Sequence, residues 1–250
     1  MRNKRLARCA ALAVALIFGP VAAQGADLSS CEAGLAAHGE GNFTKAIELY
    51  TGCIANGNLS GHDLALAYNN RGVSYAAEGD FVQALKDFDS TVRVEPDYAP
   101  VYRNRGFAYR SLGRYQLAFQ NFDRAIELDP QAAAYNDRGN THKDLGQYQN
   151  AIRDYDQAIK LDPDYAYAYF NRCWTMAKHL GRYEEALPDC ERASRGLKDR
   201  AYAAYGLGFV YEHQGALAEA RAAYERALEI DPDYAPAVAD LARLKALSVN

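Results

Sequence analysis

The chain has 250 residues and a formal net charge of −4 at pH 7. A net negative charge disfavours binding to the phosphates of nucleic acids. The length suits one array of small repeated units and leaves no room for an appended enzyme domain.

The N-terminus has the three parts of a secretory signal peptide. Basic residues precede an apolar run from Cys9 to Phe18, and small residues follow at Val21 to Ala23. The run is too short for a membrane span, and no later segment is long and apolar enough for one. We therefore expect a signal peptide at residues 1–23, cleaved after about Ala23, with Gly25 or Ala26 as alternatives. The predicted location is the bacterial periplasm or the medium.

From residue 65 onward the sequence repeats every 33 to 34 residues. Three copies are clearest, and they read YNNRGVSYAAEGDFVQALKDFDSTVRVEP, YRNRGFAYRSLGRYQLAFQNFDRAIELDP and YNDRGNTHKDLGQYQNAIRDYDQAIKLDP. Their small and aromatic residues recur at helical spacing, and each copy carries a central glycine where a helix would end. A fixed period of this length indicates one supersecondary unit, here a helical hairpin, stacked into an array.

These residues identify the resemblance: the pattern is similar to the tetratricopeptide repeat, in which Gly, Tyr, Ala, an aromatic residue and Pro recur at set positions of about 34 residues. In the copy that begins at Ala65, they are Gly72, Tyr75, Ala84, Phe88 and Pro96. We number positions within a repeat as slots, so that Gly72 is slot eight and Phe88 is slot twenty-four.

The resemblance implies an all-α fold, an α-solenoid of about six stacked helix-turn-helix units. We place the repeats at 27–60, 65–98, 99–131, 132–165, 166–200 and 201–234. In the fifth copy Cys173 replaces the Gly, and one residue is added near Lys178 to Gly181. Residues 235–250 are expected to form a capping helix and tail, with Val238, Leu241 and Leu244 on the inner face of the helix.

Four of the five cysteines lie beyond the predicted signal, an even number typical of an oxidising compartment. In a hairpin that turns near slot sixteen, residues at equal height have slot numbers that add up to about thirty-two. This rule pairs Cys31 with Cys53 and Cys173 with Cys190, one bond within each of two hairpins. The alternative is two pairs of buried free thiols, whereas the spacing does not suit a metal site.

The same rule suggests a ladder of ion pairs inside the hairpins. Arginine fills slot seven in four copies, and a carboxylate fills slot twenty-five in the same copies. The expected pairs are Arg71–Asp89, Arg105–Asp123, Arg138–Asp156 and Arg172–Glu191. The alternative is a stripe of arginines that binds an anion.

In proteins of this type, the first helix of each repeat lines the inner, concave surface. Slot six of four copies holds Asn70, Asn104, Asp137 and Asn171, which resembles an asparagine ladder that binds peptide backbones. The alternative is that these are tolerated polar residues on a solvated face.

Aromatic residues fill further inner slots, mainly in the last two copies. They are Tyr167, Phe170, Trp174, Tyr202, Tyr205 and Phe209, with Phe107 further up the array. Aromatic side chains that packing does not require are typical binding hot spots. The alternative is that they fill space between poorly matched repeats.

No catalytic motif is present, including HExxH, GxSxG, a phosphate loop and a dinucleotide fingerprint. We therefore expect no enzyme activity, no cofactor and no metal. The predicted function is a scaffold or adaptor that binds a protein or peptide in its concave groove. The alternative is an accessory subunit of a cell-envelope assembly or envelope enzyme that acts through its convex face or ends. The sequence does not indicate the partner or the oligomeric state.

Overall fold

The computed structural model describes residues 28–56 and 58–247, and every regular element within them is a helix. The predicted signal peptide lies outside the described residues. No helix in the described ranges is long and apolar enough to cross a membrane. The chain divides into two compact units, with the division after Pro130.

Each unit consists of three helical hairpins that stack in sequence order. The first contains α1 (Ser29–Gly39), α2 (Phe43–Ala55), α3 (Gly61–Glu78), α4 (Phe81–Val94), α5 (Ala99–Ser111) and α6 (Tyr115–Leu128). The second contains α7 (Ala132–Asp144), α8 (Tyr148–Leu161), α9 (Ala166–Trp174), α10 (Tyr183–Gly196), α11 (Ala201–His213), α12 (Leu217–Ile230) and α13 (Ala235–Leu247). The predicted fold class, an all-α stack of helical hairpins, is confirmed.

Two residues make the turn of the second hairpin. Gly79 has a φ of 87°, a left-handed conformation that costs little without a Cβ. Asp80 follows, and its N–H donates to the carbonyl of Tyr75 at 2.9 Å. The side chain of Asp80 then accepts a hydrogen bond from the N–H of Gln83 and caps α4. The sequence Gly-Asp therefore ends one helix and starts the next.

The hairpins close because a glycine of one helix lies under an aromatic ring of the other. A Cβ added at Gly72 would lie 2.7 Å from the ring of Phe88, and one at Gly208 would lie 2.6 Å from the ring of Tyr224. Phe88 and Tyr224 are fully buried. Slots eight and twenty-four thus form a close helix–helix contact in these hairpins, one that leaves no room for a Cβ.

In the fifth hairpin two cysteines replace this glycine and this ring. Cys173 on α9 and Cys190 on α10 have a Cα–Cα distance of 5.4 Å and form a disulfide. A second disulfide, between Cys31 and Cys53, joins α1 to α2, also with Cα atoms 5.4 Å apart. Both pairs are those that the slot rule predicts.

The residue added in the fifth hairpin is taken up by a π-helix at Thr175–His179, which continues α9. The N–H of Arg182 donates to the carbonyl of Met176, six residues earlier, whereas the corresponding bond of Asp80 spans five residues. After this wider turn, Gly181 has a φ of 66°, the same left-handed conformation as Gly79 in the second hairpin. The extra residue therefore changes the end of α9 and leaves the register of α10 intact.

The arginine ladder exists, but its pairs differ from the predicted ones. Arg71 forms two hydrogen bonds with Asp87, at slot twenty-three, instead of the expected Asp89. Asp89 accepts a bond from Arg105 of the next hairpin. In the second unit Arg138 pairs with Asp154, and Arg172 pairs with both Asp189 and Asp156.

The error has a geometric cause. Equal slot sums give equal height along the hairpin, but successive helical residues are rotated by about 100°. Slots twenty-three and twenty-five therefore lie on opposite flanks of slot twenty-four. The first faces the arginine of its own hairpin, and the second faces the arginine of the following one. Arg172, which bonds to Asp189 of its own hairpin and to Asp156 of the preceding one, thus joins adjacent hairpins.

Helix α13 packs on α12 and covers the end of the second unit. Its buried residues are Ala237, Leu241 and Leu244, whereas Val238 is 47% exposed. The prediction that Val238 faces inward is therefore wrong. The inner face has the spacing i, i+4, i+7, and it begins one residue earlier than expected.

Candidate partner-binding site

Six aromatic side chains occupy equivalent positions on two neighbouring helices of the second unit. They are Tyr167, Phe170 and Trp174 on α9 and Tyr202, Tyr205 and Phe209 on α11, and we call them the aromatic strip. Their spacing of i, i+3 and i+7 puts the three residues of each helix on one face. Phe209 is 9% exposed, and the other five are partly exposed.

Trp174 lies at the centre of the strip and is the only tryptophan of the chain. Its ring centroid is 6.2 Å from that of Phe170, 6.0 Å from Tyr205 and 5.4 Å from Phe209. The ring of Phe170 also contacts Tyr202 edge-on, at 4.7 Å. Five of the rings therefore form one continuous aromatic surface across α9 and α11.

The strip rests on the disulfide of the fifth hairpin. Cys173 and Cys190 belong to a buried cluster that includes Phe209 and Val210, and Trp174 packs against this cluster from outside. The floor of the strip is thus part of a cross-linked hairpin core.

Lys178 and two histidines lie at the end of the strip where α9 and α11 finish. The ammonium of Lys178 lies 5.0 Å from the ring centroid of Phe209, within the range of a cation–π contact. His213 stacks on Tyr183, with 4.6 Å between ring centroids. His179 stacks on Tyr148 at 4.5 Å. Burial, together with the nearby charges of Lys143 and Lys178, lowers the pKa of His179.

The asparagines predicted to bind a peptide backbone lie elsewhere, between the hairpins. Asn70 and Asn104 are fully buried, and both hydrogen-bond to Asn69. In the second unit Asn171 donates to Asn136 at 2.8 Å, and Asn136 donates to Asp137, which is 6% exposed.

The predicted ladder is therefore corrected from a ligand-binding row to an internal one. Within each unit, a slot-five asparagine donates to slot six of its own hairpin and accepts from slot six of the next. Asn70, Asn104 and Asp137 are buried in this row and are not available to a partner. An amide suits this internal position because it offers a donor and an acceptor to the neighbouring amide. Only Asn171 remains partly exposed.

The aromatic strip begins where this ladder stops. Phe170 occupies slot five in place of asparagine, and slot six of the next hairpin is Gly206. A Cβ at Gly206 would lie 3.1 Å from the ring of Phe170, so the glycine makes room for the ring. Tyr205 repeats the substitution, and its hydroxyl donates to Asp240 of α13 at 2.9 Å. Burial and this bond to a carboxylate raise the pKa of Tyr205.

Phe107, the seventh predicted aromatic, lies in the first unit on α5. Its ring contacts Phe81 in an edge-on arrangement at 6.1 Å. The described residues of that unit contain no second group of contacting rings on α3 and α5. Phe107 is therefore not part of the aromatic strip.

Two sequence models, each described as a tetratricopeptide repeat, match the chain. One matches residues 132–165 and 201–234, and the other matches residues 72–136. Together they cover just over half of the sequence.

The chain belongs to the tetratricopeptide repeat family. Proteins of this family generally act as protein-interaction scaffolds and are typically not catalytic. Among the described residues, no group of His, Cys, Asp and Glu is arranged to hold a metal ion. No curated protein matches the sequence.

Solved structures with the same fold include a chain of the APC/C hetero-tetramer Cut9–Hcn1, with a TM-score of 0.74 and 19% identity. That alignment covers 87% of this chain but only 42% of the other. A tetratricopeptide repeat protein from Parabacteroides merdae ATCC 43184 gives 0.66 and 20% identity, over 91% of this chain and 86% of that one. YrrB, described as a TPR protein with an unusual peptide-binding site, has a TM-score of 0.54 and 21% sequence identity. That alignment covers 78% of this chain and 98% of YrrB. At these identities the likeness concerns the fold.

In this tetratricopeptide repeat protein, sequence reasoning missed the residues that position the strip. Gly206 makes room for Phe170, and Asp240 holds Tyr205. A periodic signal for Asp240 was present, because it follows Tyr205 by 35 residues, as Asn104 follows Asn69. Tyr183, which begins α10 and contacts Phe209 at 6.4 Å, carries no such signal because it does not occupy an inner slot.

Proposed function

We propose that this tetratricopeptide repeat protein is a non-catalytic scaffold that binds a peptide or protein segment on the aromatic strip of its second unit. The observation that carries the proposal is the continuous group of partly exposed rings around Trp174. Phe209 belongs to the buried core, whereas Tyr167, Phe170, Trp174, Tyr202 and Tyr205 keep part of their surface exposed.

Energetic considerations favour the strip over the rest of the inner face. Large aromatic side chains dominate binding interfaces because they bury much apolar area with little loss of rotamer freedom. The rings of the strip are already held by contacts with one another and by the buried cluster beneath them. Binding therefore orders few side chains, which lowers its entropic cost. Peptide binding is described for YrrB, which shares the fold.

The proposed setting is the periplasm or the medium. Two cysteine pairs at disulfide distance support an oxidising compartment, and the predicted signal peptide of residues 1–23 supports export. N-terminal sequencing of the protein purified from its native cell should begin after about Ala23, and alkylation should find no free thiol before reduction. An intact Met1 with all five cysteines reactive would contradict this location.

Selection from a random peptide library tests the proposed site. Peptides that bind the full chain should be synthesised, and their affinity measured by calorimetry against Trp174→Ala and Tyr202→Ala. Truncating a hot-spot aromatic residue costs about 2 kcal/mol or more, so affinity should fall about 30-fold. Tyr115→Ala, a partly exposed tyrosine on α6 of the first unit, is the matched control and should bind normally.

Circular dichroism and thermal unfolding of each variant separate loss of binding from loss of fold. If both strip variants are folded and bind every selected peptide with unchanged affinity, the strip is not the site. In that case an accessory role through the convex face or the ends would be the better proposal. Substitutions on the exposed side of α13, beginning with Val238, would then test that role.

A further inference from the structure

One edge of the aromatic strip carries a positive charge that the chain does not balance. Lys178 is exposed in the π-helix that continues α9, and its ammonium lies 5.0 Å from the ring centroid of Phe209. It forms no ion pair with a carboxylate in the described part of the chain. The arginines of α7 and α9, in contrast, each bond to a carboxylate of their own hairpin.

A second lysine adds to this charge from the neighbouring helix. Lys143 lies in the last turn of α7 and donates to the neutral side chain of Asn140 at 3.2 Å. Burial lowers the pKa of His179, and the charges of Lys143 and Lys178 lower it further, with no described carboxylate acting against them. The ends of α7 and α9 therefore share a region of positive potential beside the strip.

The carboxylates at the opposite side of the strip do not balance the lysines. Glu212 and Asp240 both pair with Arg243, which ties them to α13. Asp144 follows Lys143 in sequence, but adjacent residues of a helix are rotated by about 100°, so the two do not share a face of α7. The positive edge is thus available to an anion from outside.

Charge distinguishes ligands where the hydrogen-bonding groups of the strip do not. The indole N–H of Trp174 has no partner in the described part of the chain, and the side-chain oxygen of Asn171 accepts no bond there. Every peptide backbone offers both acceptors and donors to such groups. The lysines, however, attract a ligand of opposite charge and repel one of like charge.

We infer that the segment bound on the aromatic strip is acidic, with apolar side chains on the exposed rings and side-chain carboxylates at Lys178 and Lys143. The inference rests on the proposed function and names its ligand class. The ammonium of Lys178 has three N–H groups, so it can face the ring of Phe209 and still donate to a carboxylate. Because the two lysines lie on successive first helices, a segment that crosses α7 and α9 passes both along its length. The acids therefore lie within the segment and not at its end.

Blocked peptides test the sign of the ligand charge. Three peptides, acetylated and amidated, share the same phenylalanine residues and differ only in the residues between them, which are glutamate, glutamine or lysine. Calorimetry with the full chain should show the glutamate peptide bound about two- to fivefold more tightly than the glutamine peptide for each ion pair formed. The lysine peptide should bind most weakly. The differences should shrink in 1 M salt, where the Debye length is about 3 Å.

A change of one lysine locates the effect. Lys178→Gln should weaken binding of the glutamate peptide about two- to fivefold and leave the glutamine peptide unchanged, whereas Lys178→Arg should keep the preference. Lys160→Gln on α8 is the matched control, because it removes an exposed lysine of the same unit and should bind all three peptides as the natural protein does. Circular dichroism checks that each variant is folded.

His179 provides a readout that does not depend on affinity. A carboxylate bound beside the lysines stabilises the protonated imidazole, so the glutamate peptide should raise the pKa of His179 relative to the glutamine peptide. Titration followed by NMR measures this pKa, and the resonance is assigned by its absence in His179→Gln. An equal pKa with both peptides bound would show that no acid binds near Lys178.

Failure of this inference differs from failure of the proposed function. If the glutamate peptide does not bind, or the glutamine or lysine peptide binds as tightly, the acidic ligand is wrong. It is also wrong if the glutamine peptide gains the same affinity from a free C-terminal carboxylate, because the anion would then be a chain end. Should library-selected peptides still need Trp174 and Tyr202, the strip remains the binding site. If no peptide of any kind binds there, both proposals are wrong.

Discussion

Single residues determine how closely the two helices of each hairpin approach. Gly72, Gly106, Gly139 and Gly208 each lie against an aromatic ring at a distance that a Cβ would not permit. Gly52 on α2 is a useful contrast, because a Cβ at that position would meet nothing within 4 Å. The same residue type therefore has opposite energetic consequences at the two kinds of position.

Gly72→Ala and Gly52→Ala form a matched pair within the first unit. The added methyl at residue 72 must displace the buried ring of Phe88, so the free energy of unfolding should fall by about 1–3 kcal/mol. At residue 52 the alanine removes unfolded-state freedom in an exposed helix, so it should stabilise by about 0.4–1 kcal/mol. Urea unfolding of both variants measures the difference. An equal effect at the two positions would show that the close contact does not limit the packing.

Individual helices are held by a few polar contacts and, in two hairpins, by a disulfide. Helix α13 is tied to the second unit by Arg243, which pairs with Glu212 of α11 at 2.5 Å, and by the bond between Tyr205 and Asp240. In the fifth hairpin, the bond from Cys173 to Cys190 joins α9 to α10 beneath the aromatic strip.

Acid should loosen α13. The hydrogen bond from Arg243 lowers the pKa of Glu212 below its ordinary value of 4.5. The folded state therefore favours the charged carboxylate, and this stabilisation is complete above pH 4.5 and lost as the pH falls through the lowered pKa. Hydrogen exchange of α13, corrected for intrinsic rates, should accelerate over that range.

Glu212→Gln is the control for this effect. The variant should show faster exchange of α13 at neutral pH and lose the acid-dependent step. Protection of α13 that stays constant throughout the acid range in the natural protein would mean that this ion pair does not hold the helix.

The two disulfides should differ in their effect on the strip. Cys173→Ala with Cys190→Ala should destabilise the protein by about 2–5 kcal/mol and shift the emission of Trp174, because the cluster under the ring loses its cross-link. Cys31→Ala with Cys53→Ala should cost a similar amount but leave the emission of the folded protein unchanged, because those cysteines belong to the core of the first hairpin. Fluorescence and thermal unfolding measure both quantities. Unchanged emission in the first double variant would show that the bond does not position Trp174.

Over the whole molecule, the sequence was sufficient for those features that depend on the period of a helix. The hairpins, the turn glycines and both cysteine pairs follow from residue spacing, because height along a hairpin is a linear function of position. Features that depend on the neighbouring hairpin were not predictable in this way. The slot rule predicts how far along the hairpin the partner of Arg71 lies, but not on which side of the helix it lies. The rule also could not show that the side chain of Asn70 faces another amide.

The aromatic strip illustrates the same limit. Spacing placed the six rings on one face, but only the structure shows that Trp174 contacts residues of both helices. Some polar groups of the strip are already hydrogen-bonded within the chain, as the hydroxyl of Tyr205 is to Asp240. Such partners lie on elements that are far apart in sequence, so spacing alone does not reveal them.

Hydrogen exchange with and without a bound peptide tests the central claim most directly. A peptide selected on the full chain should slow exchange in α9 and α11, around Trp174 and Phe209, and leave α8, α10 and α12 unchanged. Protection confined to those second helices, to α13 or to the first unit would contradict the assignment of the aromatic strip as the binding surface.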